Sequence, residues 1–150
     1  MTVEVTPKGT RGVDMPKAPR PLREVMGKMM VFFARRMGSR FVVLTTIGAR
    51  TGLPHTTALG RFTDGDKAFL VVASNAGSAH HPAWFFNMAK HPDQVWAEVG
   101  GRKFKVRPQT LQGAEREAAM QRVIQASPGY ARYQVTTDRE IPVIRLTPEE

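Results

Sequence analysis

From Phe41 onward, short stretches rich in β-branched residues alternate with tight turns that contain glycine. Asp64-Gly65 and Gly100-Gly101 each separate two such stretches, and both pairs tolerate the positive φ angles of two-residue hairpin loops. Hairpins join antiparallel neighbours, so the pattern predicts an antiparallel sheet rather than the βαβ units of a doubly wound fold. About six strands are expected to curl into a barrel that hides their edges.

The same pass along the chain places the elements of an α+β domain. Strands are expected at Phe41–Thr46, Thr56–Phe62, Ala68–Ser74, Val95–Val99, Lys103–Pro108 and Ile141–Leu146. Helices are expected over residues 22–37, from Pro82 to about Lys90, and over Gly113–Ala126. The third helix is expected to turn Glu115, Arg116, Glu117 and Arg122 outward and to pack Ala118, Met120, Val123 and Ile124.

Residues 1–20 differ in texture from the rest of the chain. Pro7, Pro16 and Pro19 fall in this stretch, which has few large apolar residues. We interpret residues 1–20 as a flexible arm and residues 21–150 as a single domain.

The positive charge is concentrated near the N-terminus. The formal net charge is +9, and residues 1–40 hold nine Lys and Arg against three Asp and Glu. Such an excess suits an anionic partner, such as a phosphorylated cofactor or a lipid headgroup, although a solvated surface explains it equally well. The first helix has an apolar face that is expected to cover one end of the barrel, with peripheral membrane contact as the alternative: Leu22, Val25, Met26, Met29, Phe33 and Met37.

Several classes of chemistry lack their residues. The chain has no cysteine, so it can form no disulfide, thiolate metal site or cysteine nucleophile. It also lacks a phosphate-binding glycine loop, a dinucleotide fingerprint and a pair of histidines at metal-ligand spacing. No metal site is expected. Without a secretory signal or a membrane span, the cytoplasm is the expected location, with association at a membrane left open.

One stretch of the chain suits a flat ring. The strand at Val71–Ala73 runs into the small, polar residues 74–77, and a helix with three aromatic residues follows at Trp84–Phe86. Small residues at a strand end allow a planar ring to lie against the backbone, and free amides there attract oxyanions.

Four motifs in this order resemble the deazaflavin (coenzyme F420)-dependent nitroreductase family. They are Leu44-Thr45-Thr46-Ile47-Gly48-Ala49-Arg50-Thr51-Gly52, Ala73-Ser74-Asn75-Ala76-Gly77, Pro82-Ala83-Trp84 with Asn87, and Pro128-Gly129-Tyr130 through Tyr133-Gln134, Thr137-Asp138-Arg139 and Ile141-Pro142-Val143. The resemblance implies a split β-barrel with peripheral helices and coenzyme F420, a deazaflavin with a phosphodiester and an oligoglutamate tail.

The resemblance also implies a set of cofactor-binding residues. Ala49, Arg50 and Thr51 would meet the anionic tail, where a guanidinium group binds phosphate in bidentate fashion. The strand His55, Thr56, Thr57, Ala58, Leu59 and Gly60 would run along the cofactor. The deazaflavin ring would be lined by Val72, Ala73, Ser74 and Asn75, enclosed by Ala83, Trp84, Phe85, Phe86 and Asn87, and capped by Tyr130.

The activity so implied is hydride transfer from reduced F420 to an electron-poor small molecule: a quinone, an activated alkene or enone, or a nitro compound. We predict that Tyr130 and Tyr133, the only tyrosines, are catalytic and stabilise the anion that forms on the acceptor, with Tyr133 facing the acceptor and Tyr130 shared with the cofactor. Two alternatives stay open: a fatty-acid or other amphiphile binder at a membrane surface, and an FMN-dependent reductase of the same fold. Nucleic acid is not an expected partner, and the oligomeric state is not indicated.

Overall fold

The computed structural model describes residues 3–14 and 18–149. One seven-stranded sheet forms the body of these residues, with strand order β2-β1-β5-β6-β7-β4-β3 and antiparallel pairing throughout. The strands are β1 Phe41–Ile47, β2 Pro54–Gly60, β3 Phe62–Asp64, β4 Ala68–Val72, β5 Trp96–Val99, β6 Arg102–Thr110 and β7 Val143–Pro148. The predicted antiparallel barrel is confirmed, as a curled half-barrel.

The strand predicted at Thr56–Phe62 is divided into β2 and β3 at Arg61. β2 pairs with β1 at one edge of the sheet, while β3 pairs with β4 at the opposite edge. The chain therefore crosses from one edge to the other within one residue, which closes the barrel on this side. The Arg61 guanidinium lies 4.9 Å from the ring centroid of Phe69 and donates to the Ser39 carbonyl.

Local turn chemistry explains the hairpins. Gly100 and Gly101 have φ angles of 57° and 83°, which a glycine pair adopts without strain, and they join β5 to β6. Gly65 lies at φ 76° in the turn between β3 and β4. Both hairpins predicted from the sequence are confirmed, although Asp64 pairs with Ala68 as the last residue of β3, so the first loop consists of residues 65–67 and not of Asp64-Gly65.

Among the described residues, four α-helices surround the sheet: α1 Arg20–Arg36, α2 Ala83–Lys90, α3 Gly113–Ala126 and α4 Tyr130–Thr136. The first three confirm the predicted helices, whereas α4 was not predicted because it has only seven residues and no apolar periodicity of its own. The N–H of Arg132 donates to the carbonyl of Gly129 in its first turn.

α3 is rotated relative to its predicted orientation. Ala119 rather than Ala118 is buried beside Met120 and Val123, and Arg116 is buried although it was predicted to face outward. The Arg116 guanidinium donates to the carbonyl of Ile141 and to the side-chain oxygen of Gln134 on α4. Gln134 belongs to α4. Because α4 was not predicted, this acceptor for a buried Arg116 was not predicted either, and Arg116 was assigned to the outer face.

The apolar face of α1 is mostly uncovered. Only Val31 and Ala34 are buried, where the C-terminal half of the helix packs against Val43 and Ala58. The residues predicted to cover one end of the barrel are each about half exposed, which corrects that prediction: Leu22, Val25, Met26, Met29, Phe33 and Met37. Helical periodicity shows that a face is apolar but does not show what covers it.

Residues 3–14 run along the barrel without regular secondary structure. Val3 packs against the central core, and the backbone N–H groups of Gly9 and Val13 donate to the carbonyls of Ala79 and Gly77. Hydrogen bonds from the Thr10 hydroxyl and from the amides of Arg11 and Thr10 lower the pKa of Asp138 to about 2. We call residues 3–14 the N-terminal strap.

The division into an arm of residues 1–20 and a domain of residues 21–150 stays a prediction. Pro16, which contributed to it, and the terminal Glu150 lie outside the described residues. Of the helices within the described residues, none combines the length and the apolar character needed to cross a membrane.

Candidate active site

A cavity of about 1070 Å³ opens between β2, the start of α2 and the loop that follows β4. Its walls bring together the glycine turn at 48–51, the strand residues 55–60, and residues 74–76 and 81–84. The four motifs that carry the family resemblance are far apart in the sequence. Three of them contribute walls of the cavity, and the fourth contributes Tyr130. A groove of this size accommodates a cofactor-sized molecule.

The glycine turn is held to α2 by one amide side chain. Asn87 accepts a hydrogen bond from the backbone N–H of Ala49 at 2.9 Å and donates to the Thr46 hydroxyl at 3.3 Å. Asn87 is buried, so these bonds fix the turn relative to the helix. Gly48 is required sterically, because an added Cβ would lie 2.8 Å from Nε2 of His55.

Arg50 is the free cation at the mouth of the cavity. It is exposed, and within residues 3–14 and 18–149 its side chain has no ion-pair or hydrogen-bond partner. Beside it, the Thr51 hydroxyl and Nε2 of His55 lie 3.0 Å apart, within hydrogen-bond distance. A guanidinium, a hydroxyl and an imidazole together form a donor set that suits an anionic group.

The loop after β4 has an unusual backbone. Asn75, Ala76 and Gly77 all have positive φ, at 45°, 54° and 81°. Asparagine is tolerated in this region better than any larger side chain, and its Nδ2 donates to the carbonyl of His80 at 2.9 Å. The positive φ at position 75 therefore explains why an asparagine occupies it.

Two predicted cofactor residues do not line the cavity. Ala73 and Phe85 have no exposed surface and belong to the central core, so their side chains cannot contact a ligand in the groove. Trp84 and Phe86 do line it. Three consecutive aromatic residues on a helix point about 100° apart, so one of them must face away from any single site.

The two tyrosines lie one behind the other, and only Tyr130 reaches the cavity. Tyr130 lines the cavity, whereas Tyr133 does not and packs edge-on behind it, with ring centroids 5.3 Å apart. Phe62 contacts the Tyr130 ring as well, at 5.4 Å. Burial raises the pKa of Tyr130, and Tyr133 raises it further, so the Tyr130 hydroxyl is held in its neutral, hydrogen-bond-donating form.

The cavity also contains residues that the sequence interpretation missed: Met30, Thr46, Gly48, Ala76, His81 and Pro82. Thr46, Gly48, Ala76 and Pro82 lie inside the quoted motifs, so the motifs themselves were the signal for them. Met30 reaches the cavity from α1, and His81 is positioned by residues distant in the sequence. Neither carries a local pattern that indicates a site.

The residues present suit coenzyme F420. The free guanidinium at the mouth and its neighbouring donors fit an anionic tail, and the apolar and aromatic walls fit a planar ring. Gly60 leaves a narrow space, since an added Cβ would lie 3.2 Å from the hydroxyl of Tyr130.

The sequence matches a family model described as F420H(2)-dependent quinone reductase over residues 15–148. The chain belongs to the F420H2-dependent quinone reductase family. The F420H(2)-dependent quinone reductase of Mycobacterium tuberculosis (strain ATCC 25618 / H37Rv) is 37% identical over 109 residues, which are 71% of this chain and 72% of the relative.

Solved structures agree with this assignment. A structure described as an F420-H2 dependent reductase is 34% identical, with a TM-score of 0.64, and the match covers 71% of this chain and 93% of that one. Another, described as a domain-swapped dimer, is 29% identical with a TM-score of 0.66 and covers 84% of this chain and 98% of that one. As a member of the F420H2-dependent quinone reductase family, the chain is an oxidoreductase with a split-barrel fold and coenzyme F420 as its cofactor. The resemblance to deazaflavin-dependent enzymes is thereby confirmed, and FMN becomes secondary.

Proposed function

We propose that this reductase transfers a hydride from F420H2 to a lipid-soluble quinone, which becomes a hydroquinone after also taking up a proton. The observation that carries this choice among quinone, enone and nitro acceptors is the position of Met30. Met30 lines the cavity and belongs to α1, whose apolar face is exposed. An apolar acceptor that contacts this face would therefore meet an apolar side chain at the wall of the site.

In this proposal the residues that line the cavity divide by chemistry. Arg50 and Thr51 would bind the anionic tail at the mouth beside Ala49, whose amide is already bonded to Asn87, and β2 from His55 to Gly60 would run beside the tail. Val72, Ser74, Asn75, Trp84 and Phe86 would hold the deazaflavin ring. When bound, the reduced coenzyme supplies the hydride. The apolar side chains of the lining would shield the ring from water and so protect the hydride donor from side reactions.

Tyr130 is the residue we assign to the acceptor. Its neutral hydroxyl lies in the cavity wall and can donate a hydrogen bond to the oxygen on which negative charge develops during hydride transfer. Tyr133 contacts the Tyr130 ring rather than the cavity. We therefore propose a positioning role for Tyr133 in place of direct contact with the acceptor.

Anaerobic stopped-flow oxidation of F420H2 tests both assignments, with menadione, cyclohexenone and a nitrofuran as acceptors. We expect menadione to give the highest kcat/KM. We expect Tyr130→Phe to reduce kcat with menadione by about 100- to 1,000-fold, the range for loss of one donor to a developing anion. Tyr133→Phe should have a smaller effect on kcat, because it keeps the ring that packs against Tyr130. Equal rates for all three acceptors would contradict the quinone assignment, and an unchanged kcat in Tyr130→Phe would contradict the role of its hydroxyl.

The exposed face of α1 supports a further part of the proposal, contact with an anionic membrane surface. Residues 20–40 carry six Lys and Arg and a single Glu, which forms an ion pair with Arg20. A second copy of this helix would bring like charges together, whereas an anionic bilayer offers both apolar and negatively charged partners. A quinone dissolved in that bilayer would then reach the site past Met30.

Vesicle flotation tests this contact. We expect the protein to bind phosphatidylglycerol vesicles, with binding that weakens as salt increases, and to bind phosphatidylcholine vesicles poorly. Met29 is 53% exposed, so Met29→Glu should preserve the fold and reduce vesicle binding by about tenfold or more. Val135, 77% exposed on α4, provides the matched control Val135→Glu, which should bind as the unmodified protein does. Equal binding by both variants would exclude α1 as the contact.

A further inference from the structure

Arg139 is the largest side chain that is fully buried, at 1% exposed. Its Nε donates to the carbonyl of Ser78 at 3.1 Å, Nη1 to the carbonyl of Ala73 at 3.0 Å, and Nη2 to the carbonyl of Ser74 at 2.8 Å. Nη1 also donates to Nδ1 of His81 at 2.8 Å. Within the described parts of the chain, no carboxylate forms an ion pair with it.

A buried guanidinium with only neutral partners is costly, so its position calls for a reason. Its acceptors are the two ends of one short loop: the carbonyls of residues 73 and 74 on one side and of residue 78 on the other. Between them lie the three residues with positive φ. Two of the three, Asn75 and Ala76, are not glycine, and such backbone conformations persist only where the surroundings enforce them. The planar fork of Arg139 spans the loop and supplies that enforcement.

The same side chain fixes the tautomer of His81. Because Nδ1 of His81 accepts from Arg139, the ring proton lies on Nε2, which donates to the carbonyl of Thr6 at 2.7 Å. Burial lowers the pKa of His81, the bond to Thr6 raises it, and the Arg139 charge lowers it again, with a net decrease. His81 thus presents a neutral ring of fixed orientation to the cavity that it lines.

We infer that Arg139 is a positioning residue that holds the loop 73–78 and His81 as a preformed wall for the deazaflavin ring. The inference rests on the proposed placement of the ring against this loop. The N-terminal strap supports the same wall from outside through Thr6, Gly9 and Val13. An ordered wall removes the entropy cost of ordering these residues when the ligand binds.

If Arg139 has this role, its replacement should affect binding of the deazaflavin ring but not binding of the anionic tail. Arg139 bonds to the loop and not to the exposed Arg50, so its replacement should weaken coenzyme F420 and a tail-less deazaflavin riboside by the same factor. Arg139→Lys keeps the charge and loses the fork, because one ammonium group cannot reach both ends of the loop. Arg132→Lys, at an exposed position on α4, is the matched control.

The experiment measures the dissociation constants of both ligands by fluorescence titration of folded protein, with hydrogen exchange of the backbone amides. For Arg139→Lys we expect both dissociation constants to rise by about tenfold. We expect exchange to accelerate at residues 74–80 only, with loss of the Nε2–H signature of His81 in imidazole nitrogen NMR spectra. Arg132→Lys should change none of these. Binding of both ligands within twofold of the unmodified protein, or faster exchange throughout the sheet, would overturn the inference.

The unmodified protein gives an independent test if Arg139→Lys does not fold. A preformed wall requires the N–H groups of Gly77 and Ser78, bonded to the carbonyls of Ser74 and Asn75, to be protected equally with and without ligand. Protection that develops only on binding would overturn the inference. If neither ligand bound at all, the proposed function would fail, while hydrogen exchange and the His81 spectrum would still decide whether Arg139 holds the loop.

Discussion

Replacing Arg50 by alanine is expected to weaken coenzyme F420 binding by about 10- to 100-fold, the equivalent of one or two charge-assisted hydrogen bonds. Arg50 has no partner within the described residues, so no other group of the protein loses a hydrogen bond or an ion pair when the side chain is removed. Its expected partner, by contrast, is a tail with several negative charges. This loss of affinity should appear in a fluorescence titration. It should diminish as salt increases, because Arg50 is exposed to solvent and its charge is screened.

The tail-less deazaflavin riboside is the control ligand for this variant. Its affinity should not change in Arg50→Ala, since it has no anionic tail for Arg50 to bind. Arg102→Ala, at an exposed position of the β5–β6 hairpin, removes the same charge away from the cavity and should leave both ligands bound normally. If Arg50→Ala weakened the two ligands equally, or if salt had no influence on its loss, Arg50 would not be the residue that binds the tail.

The parts of the fold that could be predicted are those with local causes. The hairpin at Gly100-Gly101 follows from two residues that accept positive φ, and the predicted bounds of α3 agree with those observed. The division of β2 from β3 could not be predicted, because both halves have strand-forming residues and only the closure of the barrel separates them. The exposed face of α1 was misjudged for a related reason. Its periodicity is strong, but only Val31 and Ala34, in the C-terminal half of the helix, are buried against the sheet.

The candidate site shows the same contrast. Motifs located most of the residues that line the cavity, since each motif is a local sequence that forms one wall. His81 was missed because it is held by Thr6 and Arg139, partners 75 and 58 positions away. The asparagine at position 75 is explained by its positive φ, which a single sequence does not reveal. Long-range contacts and backbone strain leave no pattern in a single sequence.

Phe85 and Phe86 allow packing and ligand binding to be separated on one helix. Phe85 is fully buried in the central core, where its ring lies 5.1 Å from that of His81 and 6.2 Å from that of Trp84. Phe85→Ala should lower the free energy of unfolding by about 3–5 kcal/mol, because the surrounding core cannot collapse fully onto the space left by the ring. Urea denaturation measures this loss directly.

Phe86→Ala should have a small effect on stability and a large effect on ligand binding, the reverse of Phe85→Ala. Phe86 is 41% exposed and lines the cavity, so its truncation should cost about 1 kcal/mol of stability or less. It should nevertheless weaken the tail-less deazaflavin riboside by about tenfold, since an aromatic wall next to the ring is lost. Folded Phe85→Ala should bind that ligand within a few-fold of normal. If truncation of Phe85 instead abolished binding while stability was retained, the ring would have to lie on the core side of α2, and the cavity described above would not be the site.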